Sequence, residues 1–153
     1  YVSNKKELRS LKRNMIRCHT KGIYVDDCDQ KLSEEFDQVM AVALELDEQA
    51  KRRSDGFSKL YGRMVKEYFG GMTAHFKAAF RRLRPKGVCA YVVCDQHSLL
   101  GVHIDTPEIL KSIATSSTIG FELMDVVKWR ETRGTTGNNT LTERILFFRK
   151  PSR

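Results

Sequence analysis

The chain has 153 residues, a length typical of one domain and sufficient to bury a hydrophobic core. Hydrophobic residues make up 41% of it, which is ordinary for a soluble globular protein, and no apolar run approaches the roughly 18 residues of a membrane span. The formal net charge of +8 favours a polyanionic partner, of which nucleic acid is the commonest. The N-terminus is basic and polar, without the apolar region of a signal peptide, and the four cysteines show no metal-ligand spacing. We therefore expect a cytoplasmic protein with reduced thiols and no metal site.

The charge is distributed in blocks along the chain. Residues 1–21 hold seven basic residues against Glu7 alone, and residues 22–50 hold nine acidic residues against Lys31 alone. The remainder is basic again, with 19 basic residues against nine acidic ones. This segregation favours a nucleic-acid partner, while a solvated surface on a basic protein stays open as the alternative.

The first predicted element is a short basic helix. Asn4 is placed as its N-cap and Glu7 completes a capping box. The helix carries a narrow apolar stripe of Leu8, Leu11, Met15 and Ile16, and its basic residues include Arg9, Arg13 and Arg17. Two interpretations stay open: a helix docked through the stripe with its charges in water, or a helix that contacts phosphates.

Two further helices follow a connector at residues 18–29. The first runs from about residue 30 or 33 to 52 and has an acidic solvent face, as a charge run usually indicates. The second begins at Ser54 or Asp55 and keeps one apolar face as far as Leu83, which is typical of a core helix. Its Gly70-Gly71 pair predicts a kink or a break in the middle.

The C-terminal half alternates strands and a helix. Residues 88–94 (VCAYVVC) are uniformly apolar, which predicts a strand covered on both faces, as in a parallel sheet. A helix capped by Asp105 or Thr106 follows, then a mostly buried strand at 121–129, a flexible loop at 130–142 and a last strand at 143–150. The last two strands lack a crossover helix between them and must lie antiparallel.

Four polar residues follow the apolar strand directly, at its carboxyl end: Asp95, Gln96, His97 and Ser98. Ligands of open α/β sheets gather at the carboxyl ends of strands, so this loop is the first candidate for a site. The alternative is that Asp95 and Ser98 only satisfy backbone groups of the loop.

The order and spacing of these pieces carry a family resemblance. They include Tyr68-Phe69 with Met72, Leu83 to Gly87 (LRPKG), Tyr91 to Asp95 (YVVCD) with Ser98, Gly101 to Pro107 (GVHIDTP), Gly120-Phe121-Glu122, and Glu143 to Lys150 (ERILFFRK). Residues 64–150 resemble the C-terminal half of a class I S-adenosylmethionine-dependent methyltransferase, closest to the DNA methyltransferases that modify an exocyclic amino group of cytosine or adenine. The resemblance implies an α/β fold: a Rossmann-like half-sheet, in the order helix, parallel strand, helix, antiparallel strand pair, preceded by a helical segment. It divides the chain into a charged helical segment, 1–63, and the methyltransferase-like part, 64–153.

Two motifs of that family do not occur in the chain. These are the glycine-rich cofactor loop and the catalytic tetrapeptide with a doubled proline, since the three prolines Pro85, Pro107 and Pro151 stand apart. We therefore expect the S-adenosylmethionine site mostly upstream of Tyr1, no catalytic residue in this chain, and an enzyme that needs the missing half in the same polypeptide or in a companion chain. Chain 1–153 alone is expected to be incomplete and inactive.

The resemblance also implies where nucleic acid would lie. Asp95, Gln96, His97 and Ser98 would form the rim of the active site where a flipped base enters. Arg130 and Arg133, with Arg9, Arg13 and Arg17 of the first helix, are the candidate nucleic-acid contacts. The leading function is part of a DNA methyltransferase of a restriction-modification or related system. The alternatives are a noncatalytic nucleic-acid-binding or partner-binding module and an RNA amino-methyltransferase.

Overall fold

The computed structural model describes residues 4–133 and 140–152, and within them the chain is mixed α/β, as predicted. The helices are α1 (Lys5–Arg13), α2 (Asp37–Ala50), α3 (Tyr61–Arg82) and α4 (Thr106–Thr115). The strands are β1 (Val88–Cys94), β2 (Glu122–Arg133) and β3 (Thr140–Arg149). Short 3-10 turns occur at Thr20–Gly22, Asp29–Leu32 and Ser58–Leu60.

The three strands form one sheet in the order β1-β3-β2, with β3 antiparallel to both neighbours. Val88 of β1 and Glu122 of β2 both lie opposite Arg149 of β3, so β1 and β2 run in the same direction. Helix α4 connects them in the chain. The predicted antiparallel pairing of the last two strands is confirmed. Hydrogen-bonded pairing within the described residues is antiparallel throughout, so β1 has no parallel neighbour there.

The predictions that β1 and β2 are buried were wrong. Exposed and half-buried residues alternate along β1, with Val88 48% and Val92 61% exposed, and β2 is exposed almost throughout its length. The helices cover the face of the sheet that carries Leu146 and Phe148. The apolar residues of the opposite face, such as Val92, therefore remain in contact with solvent.

The core lies between α3 and this covered face. Phe69 and Phe76 of α3 are buried, and the Phe76 ring lies 5.0 Å from that of Tyr91 and 5.8 Å from that of Phe148 between centroids. Val39 of α2 belongs to the same core. The boundary expected at 63/64 falls inside α3, whose side chains pack against both halves of the chain.

Helix α3 runs without interruption through Gly70 and Gly71, so there is no break in the helix at this pair. A Cβ atom on Gly70 would overlap the backbone carbonyl group of Asp29. The two glycines therefore allow the 3-10 turn Asp29–Leu32 to lie directly on the helix. The turn is also held by the buried Glu67, whose carboxylate accepts a hydrogen bond from the backbone N–H of Gln30 (3.1 Å).

Helix α1 begins as predicted but packs differently. The backbone N–H of Glu7 donates to Asn4 Oδ1 (2.9 Å), which confirms the N-cap. Its apolar stripe is exposed, with Leu11 48% and Met15 63% accessible, so of the two interpretations left open, docking through the stripe does not occur among the described residues. Only Ile16, beyond the helix, packs against the core. The cap of α4 is confirmed too, because the backbone N–H of Glu108 donates to Asp105 Oδ1 (3.1 Å).

No helix in the described part of the chain is both long enough and apolar enough to cross a membrane.

Candidate functional site

The polar loop after β1 folds back on itself. The backbone of Gln96 exchanges two hydrogen bonds with that of Ile104 (3.0 and 2.8 Å), which closes residues 97–103 into a compact loop. Leu100 and Gly101 turn the chain with positive φ angles of 54° and 78°. Glycine tolerates this conformation without the steric cost that other residues incur, so Gly101 suits the turn. The loop is thus positioned at the carboxyl end of β1.

The side chains of the loop divide into two groups. Gln96 Oε1 accepts hydrogen bonds from the backbone N–H groups of His97 (2.9 Å) and Ser98 (3.1 Å) and from Ser98 Oγ (3.0 Å). Gln96 and Ser98 therefore stabilise the loop. Asp95 differs, because its side chain is 10% exposed and its buried Oδ1 has no hydrogen-bond partner within the described structure.

Two basic residues contact the Asp95 carboxylate from different directions. Arg144 of β3 lies 3.6 Å from Asp95 Oδ1 and donates to Asp105 Oδ1 at 2.8 Å. His103 Nε2 lies 3.8 Å from Asp95 Oδ2, and the His103 ring stacks on that of His97 with centroids 4.3 Å apart. Arg144 thus ties the strand end to the start of α4 and offsets part of the negative charge of two carboxylates.

Two concavities lie on either side of this loop. The strand-end pocket, of about 380 Å³, is lined by Val65, Tyr68, Phe69, Val93, Asp95 and Ile104 among others. The polar groove, of about 760 Å³, is lined by Lys21, Arg53, Phe57, Tyr61, His97 and Ser98 among others. The predicted rim residues are therefore divided between the two concavities: Asp95 and Gln96 line the pocket, and His97 and Ser98 line the groove.

Two titratable groups of the strand-end pocket, Tyr68 and Cys94, have raised pKa values. Burial raises the pKa of the Tyr68 hydroxyl, so the phenol stays protonated and can donate a hydrogen bond. Burial, with the nearby Glu143 carboxylate, raises the pKa of the Cys94 thiol. Because the thiolate is the reactive form of cysteine, Cys94 is a poor nucleophile. All four cysteines are free.

Arg17, Arg13 and Arg130 are engaged in ion pairs. Arg17 is buried and bonds both carboxylate oxygens of Asp27 (2.7 and 2.8 Å), so it supports the fold and is not presented to a ligand. Arg13 pairs with Asp26 at 3.0 Å on the surface. Arg130 forms a two-pronged pair with Glu143 (2.8 and 3.0 Å).

Arg9 and Arg133 are exposed, on α1 and at the end of β2. The loop predicted at 130–142 is shorter than expected, because β2 extends to Arg133 and β3 begins at Thr140. Its remaining part, 134–139, lies outside the described residues. Arg130 and Arg133 therefore lie on a strand and not on a loop.

Sequence reasoning missed Lys21, Arg53 and Phe57, which line the polar groove beside His97 and Ser98. Lys21 lies far in the sequence from Arg53 and Phe57, and none of the three belongs to a local motif. The one available signal is the exposed aromatic Phe57 close to the basic residues Arg52 and Arg53.

Within residues 4–133 and 140–152, no three His, Cys, Asp or Glu side chains gather as a metal site would require. Comparisons of the chain with protein-family models, curated proteins and solved structures found no match. The loop after β1, the strand-end pocket and the polar groove are therefore the features from which a function can be inferred.

Proposed function

We propose that this chain is part of a cytoplasmic, site-specific DNA methyltransferase of a restriction-modification or related system. The enzyme transfers a methyl group from S-adenosylmethionine to an exocyclic amino group of cytosine or adenine. The observation that carries the proposal is the position of the last strand. β3 inserts antiparallel beside its predecessor β2 and between β2 and β1, and α4 connects β1 to β2. A last strand inserted antiparallel is what the resemblance to class I methyltransferases implies.

The loop at the carboxyl end of β1 supports the same proposal. It places a buried carboxylate, Asp95, at a pocket whose other walls are mostly apolar. Such a combination suits a planar heterocycle that carries an amino group, since the ring is buried against apolar atoms and the amine donates to an acceptor. Arg144 and His103 both contact the Asp95 carboxylate. We therefore assign to Asp95 the role of orienting the target nucleobase, and not that of removing a proton from it.

The described residues do not fit S-adenosylmethionine. Residues 95–104, which follow β1, contain the single glycine Gly101, and residues 150–152, which follow β3, contain none, so neither strand end carries a glycine-rich loop. Gly62 and Gly70 pack against neighbouring segments inside helix α3, where they make no cradle. We therefore assign the cofactor to the missing half of the enzyme and no step of the transfer to this chain.

The proposal is tested by reconstituting the chain with an N-terminal half that carries a glycine-rich loop and a doubled-proline motif. Calorimetry should show that the assembly binds S-adenosylmethionine while chain 1–153 alone does not. Methyl transfer to DNA and to RNA, measured side by side, should favour DNA. An assembly that fails to bind the cofactor would refute the enzyme, and transfer to RNA alone would establish the RNA amino-methyltransferase instead.

One observation favours the second candidate, a noncatalytic nucleic-acid-binding module. No residue of α1 is buried, and its Lys5, Lys6 and Arg9 are all exposed. Such a helix can contact phosphates without any catalytic half. DNA binding by an assembly that binds no cofactor would identify this function.

Arg133 and Arg130 provide a matched pair for testing DNA contact at the end of the sheet. We expect Arg133→Ala to weaken duplex DNA binding and to make the dependence of log K on log salt shallower by about 1. Arg130→Ala should have a smaller effect, because Glu143 already neutralises Arg130. Fluorescence anisotropy at several salt concentrations measures both, and Glu143→Gln should strengthen binding by releasing Arg130. Equal slopes for the parent chain and Arg133→Ala would remove this strand end from the interface.

A further inference from the structure

We propose that the polar groove binds one strand of DNA, with Phe57 stacking on a base and with Lys21 and Arg53 contacting adjacent phosphates. The inference rests on the proposed function only for the choice of DNA among polyanions. The groove itself is assigned from its own residues, which come from three parts of the chain.

The cations of the groove are available to a ligand. Lys21 and Arg53 are exposed, and none of the ion pairs formed within the described ranges, 4–133 and 140–152, includes either of them. Arg17, in contrast, is already neutralised by Asp27. A phosphate contact releases counterions only where the protein charge is not already balanced. Lys21 and Arg53 satisfy that condition.

Phe57 supplies a stacking surface beside these cations. Phe57 is 56% exposed, although it is a large apolar residue. The turn that presents it is fixed, because Asp55 Oδ1 accepts hydrogen bonds from the backbone N–H groups of Phe57 (3.1 Å) and Ser58 (2.8 Å). An aromatic ring held next to unpaired cations is the combination by which proteins bind single strands of nucleic acid.

The remaining polar groups of the groove are compatible with this ligand. Asp55 is the acidic residue of the groove, and its hydrogen bonds to the backbone of Ser58 and Phe57 lower its pKa, so it remains a single negative charge against two cations. Ser98 Oγ donates to Gln96 and keeps its lone pairs for a donor of the ligand. An acidic peptide would use the cations but would leave the Phe57 ring without a planar partner. A nucleotide strand uses both.

The groove lies beside the strand-end loop, since His97 and Ser98 line it while Asp95 and Gln96 line the strand-end pocket. A strand in the groove would therefore pass next to the place proposed for the target base. The groove residues of segment 1–63 would thus hold the DNA strand next to the strand-end pocket, without the help of residues from the missing half.

Chain 1–153 and its variants can be tested with a short fluorescein-labelled single-stranded DNA, by anisotropy across a range of salt concentrations. We expect Lys21→Ala with Arg53→Ala to make the slope of log K against log salt shallower by about 1.4, the loss of two phosphate contacts on a single strand. Phe57→Ala should weaken binding about fivefold or more and leave the slope unchanged, because stacking involves no charge. The matched control is Arg81→Ala with Arg82→Ala, which removes the same net charge at the other end of α3, about 30 Å from Tyr61. This control should bind within about twofold of the parent chain with the same slope.

Circular dichroism establishes that each variant is folded, which we expect because all the replaced side chains are exposed. The groove is refuted if the control lowers the slope as much as Lys21→Ala with Arg53→Ala, or if neither double variant changes it. Competition by polyglutamate as effective as that by DNA would assign the groove to an acidic protein. Competition by a free deoxynucleotide at equal phosphate concentration would assign it to a small nucleotide. Both competition results would overturn the strand proposal.

The outcome is separable from that of the proposed function, because the assay needs neither cofactor nor methyl transfer. If the groove fails the test but the reconstituted assembly methylates DNA, the proposed function stands and the DNA-binding surface lies elsewhere. A groove that passes, in an assembly that binds no cofactor, would belong to a nucleic-acid-binding module.

Discussion

Replacing Arg17 with methionine is expected to lower the free energy of unfolding by about 3–5 kcal/mol, the range for a buried ion pair that loses one partner. The Arg17 guanidinium bonds both oxygens of Asp27 and the backbone carbonyls of Lys12 and Arg13. Methionine keeps the apolar stem but leaves the Asp27 carboxylate buried without its cation. Urea unfolding followed by circular dichroism measures the difference.

Arg13→Met is the matched control for this prediction. Arg13 also pairs with an aspartate, at 3.0 Å, but the two side chains are 54% and 70% exposed. Exposed pairs contribute about 0–1 kcal/mol, so this variant should unfold close to the parent chain. Equal losses from the two variants would contradict the burial of the Arg17 pair.

The pH dependence of the Arg17 effect follows from the pKa of Asp27. The hydrogen bond from Arg17 is the main cause that lowers this pKa below its usual value. A carboxyl with a depressed pKa in the folded state adds stability above its unfolded pKa of about 3.9, and this stability is lost as the pH falls through the folded pKa. The difference between parent and Arg17→Met should therefore be full at pH 7 and shrink below about pH 4. A difference that stays constant down to about pH 2 would show that Asp27 is not the partner that matters.

Arg17 also shows where sequence reasoning reaches its limit. A basic run on a helix indicates positive charge, but it does not show which charges are already balanced. The partner of Arg17 is ten residues away in an irregular connector, and that of Arg130 is on the neighbouring strand. Tertiary structure selects these pairs, so the candidate contacts could be ranked only with the fold in hand.

Local signals predicted the elements well, because their causes are local. The Asn4 and Asp105 caps depend on residues three positions apart, and the antiparallel arrangement of the last strands follows from the absence of a crossover helix. Burial was predicted less well. The apolar sequence of β1 shows that both faces suit burial, yet only the face toward α3 is covered among the described residues.

The candidate site divides in the same way. Residues 95–98 were predicted as a rim because they follow a strand, and the structure places two of them in the strand-end pocket and two in the polar groove. The groove itself joins the segments around Lys21, Phe57 and Ser98, which lie far apart in the sequence. No single stretch of sequence contains that information.

Gly70→Ala is expected to destabilise the fold by about 3 kcal/mol, the upper part of the usual range for overpacking a tight site. Helix propensity alone predicts the opposite, since alanine favours a helix by about 1 kcal/mol over glycine. The packing decides the sign, because the new Cβ would overlap the backbone carbonyl of Asp29. Backbone atoms cannot rotate away as a flexible side chain can, so the turn Asp29–Leu32 would have to leave the helix. Thermal and urea unfolding measure the change.

Two other glycines separate the packing effect from propensity. A Cβ on Gly56 would meet nothing within 4 Å, so Gly56→Ala should leave the stability nearly unchanged. A Cβ on Gly71 would lie 3.1 Å from the Ile16 side chain, which can adjust, so Gly71→Ala should fall between the two. Stabilisation by Gly70→Ala would contradict this contact, because the turn Asp29–Leu32 could not then lie directly on α3. The hydrogen bond from the backbone of Gln30 to the buried Glu67 could not form either. The expected loss of stability is largest for Gly70→Ala, smaller for Gly71→Ala and near zero for Gly56→Ala. This order follows from the close contact between the turn and the helix. That contact holds the turn Asp29–Leu32 directly against helix α3.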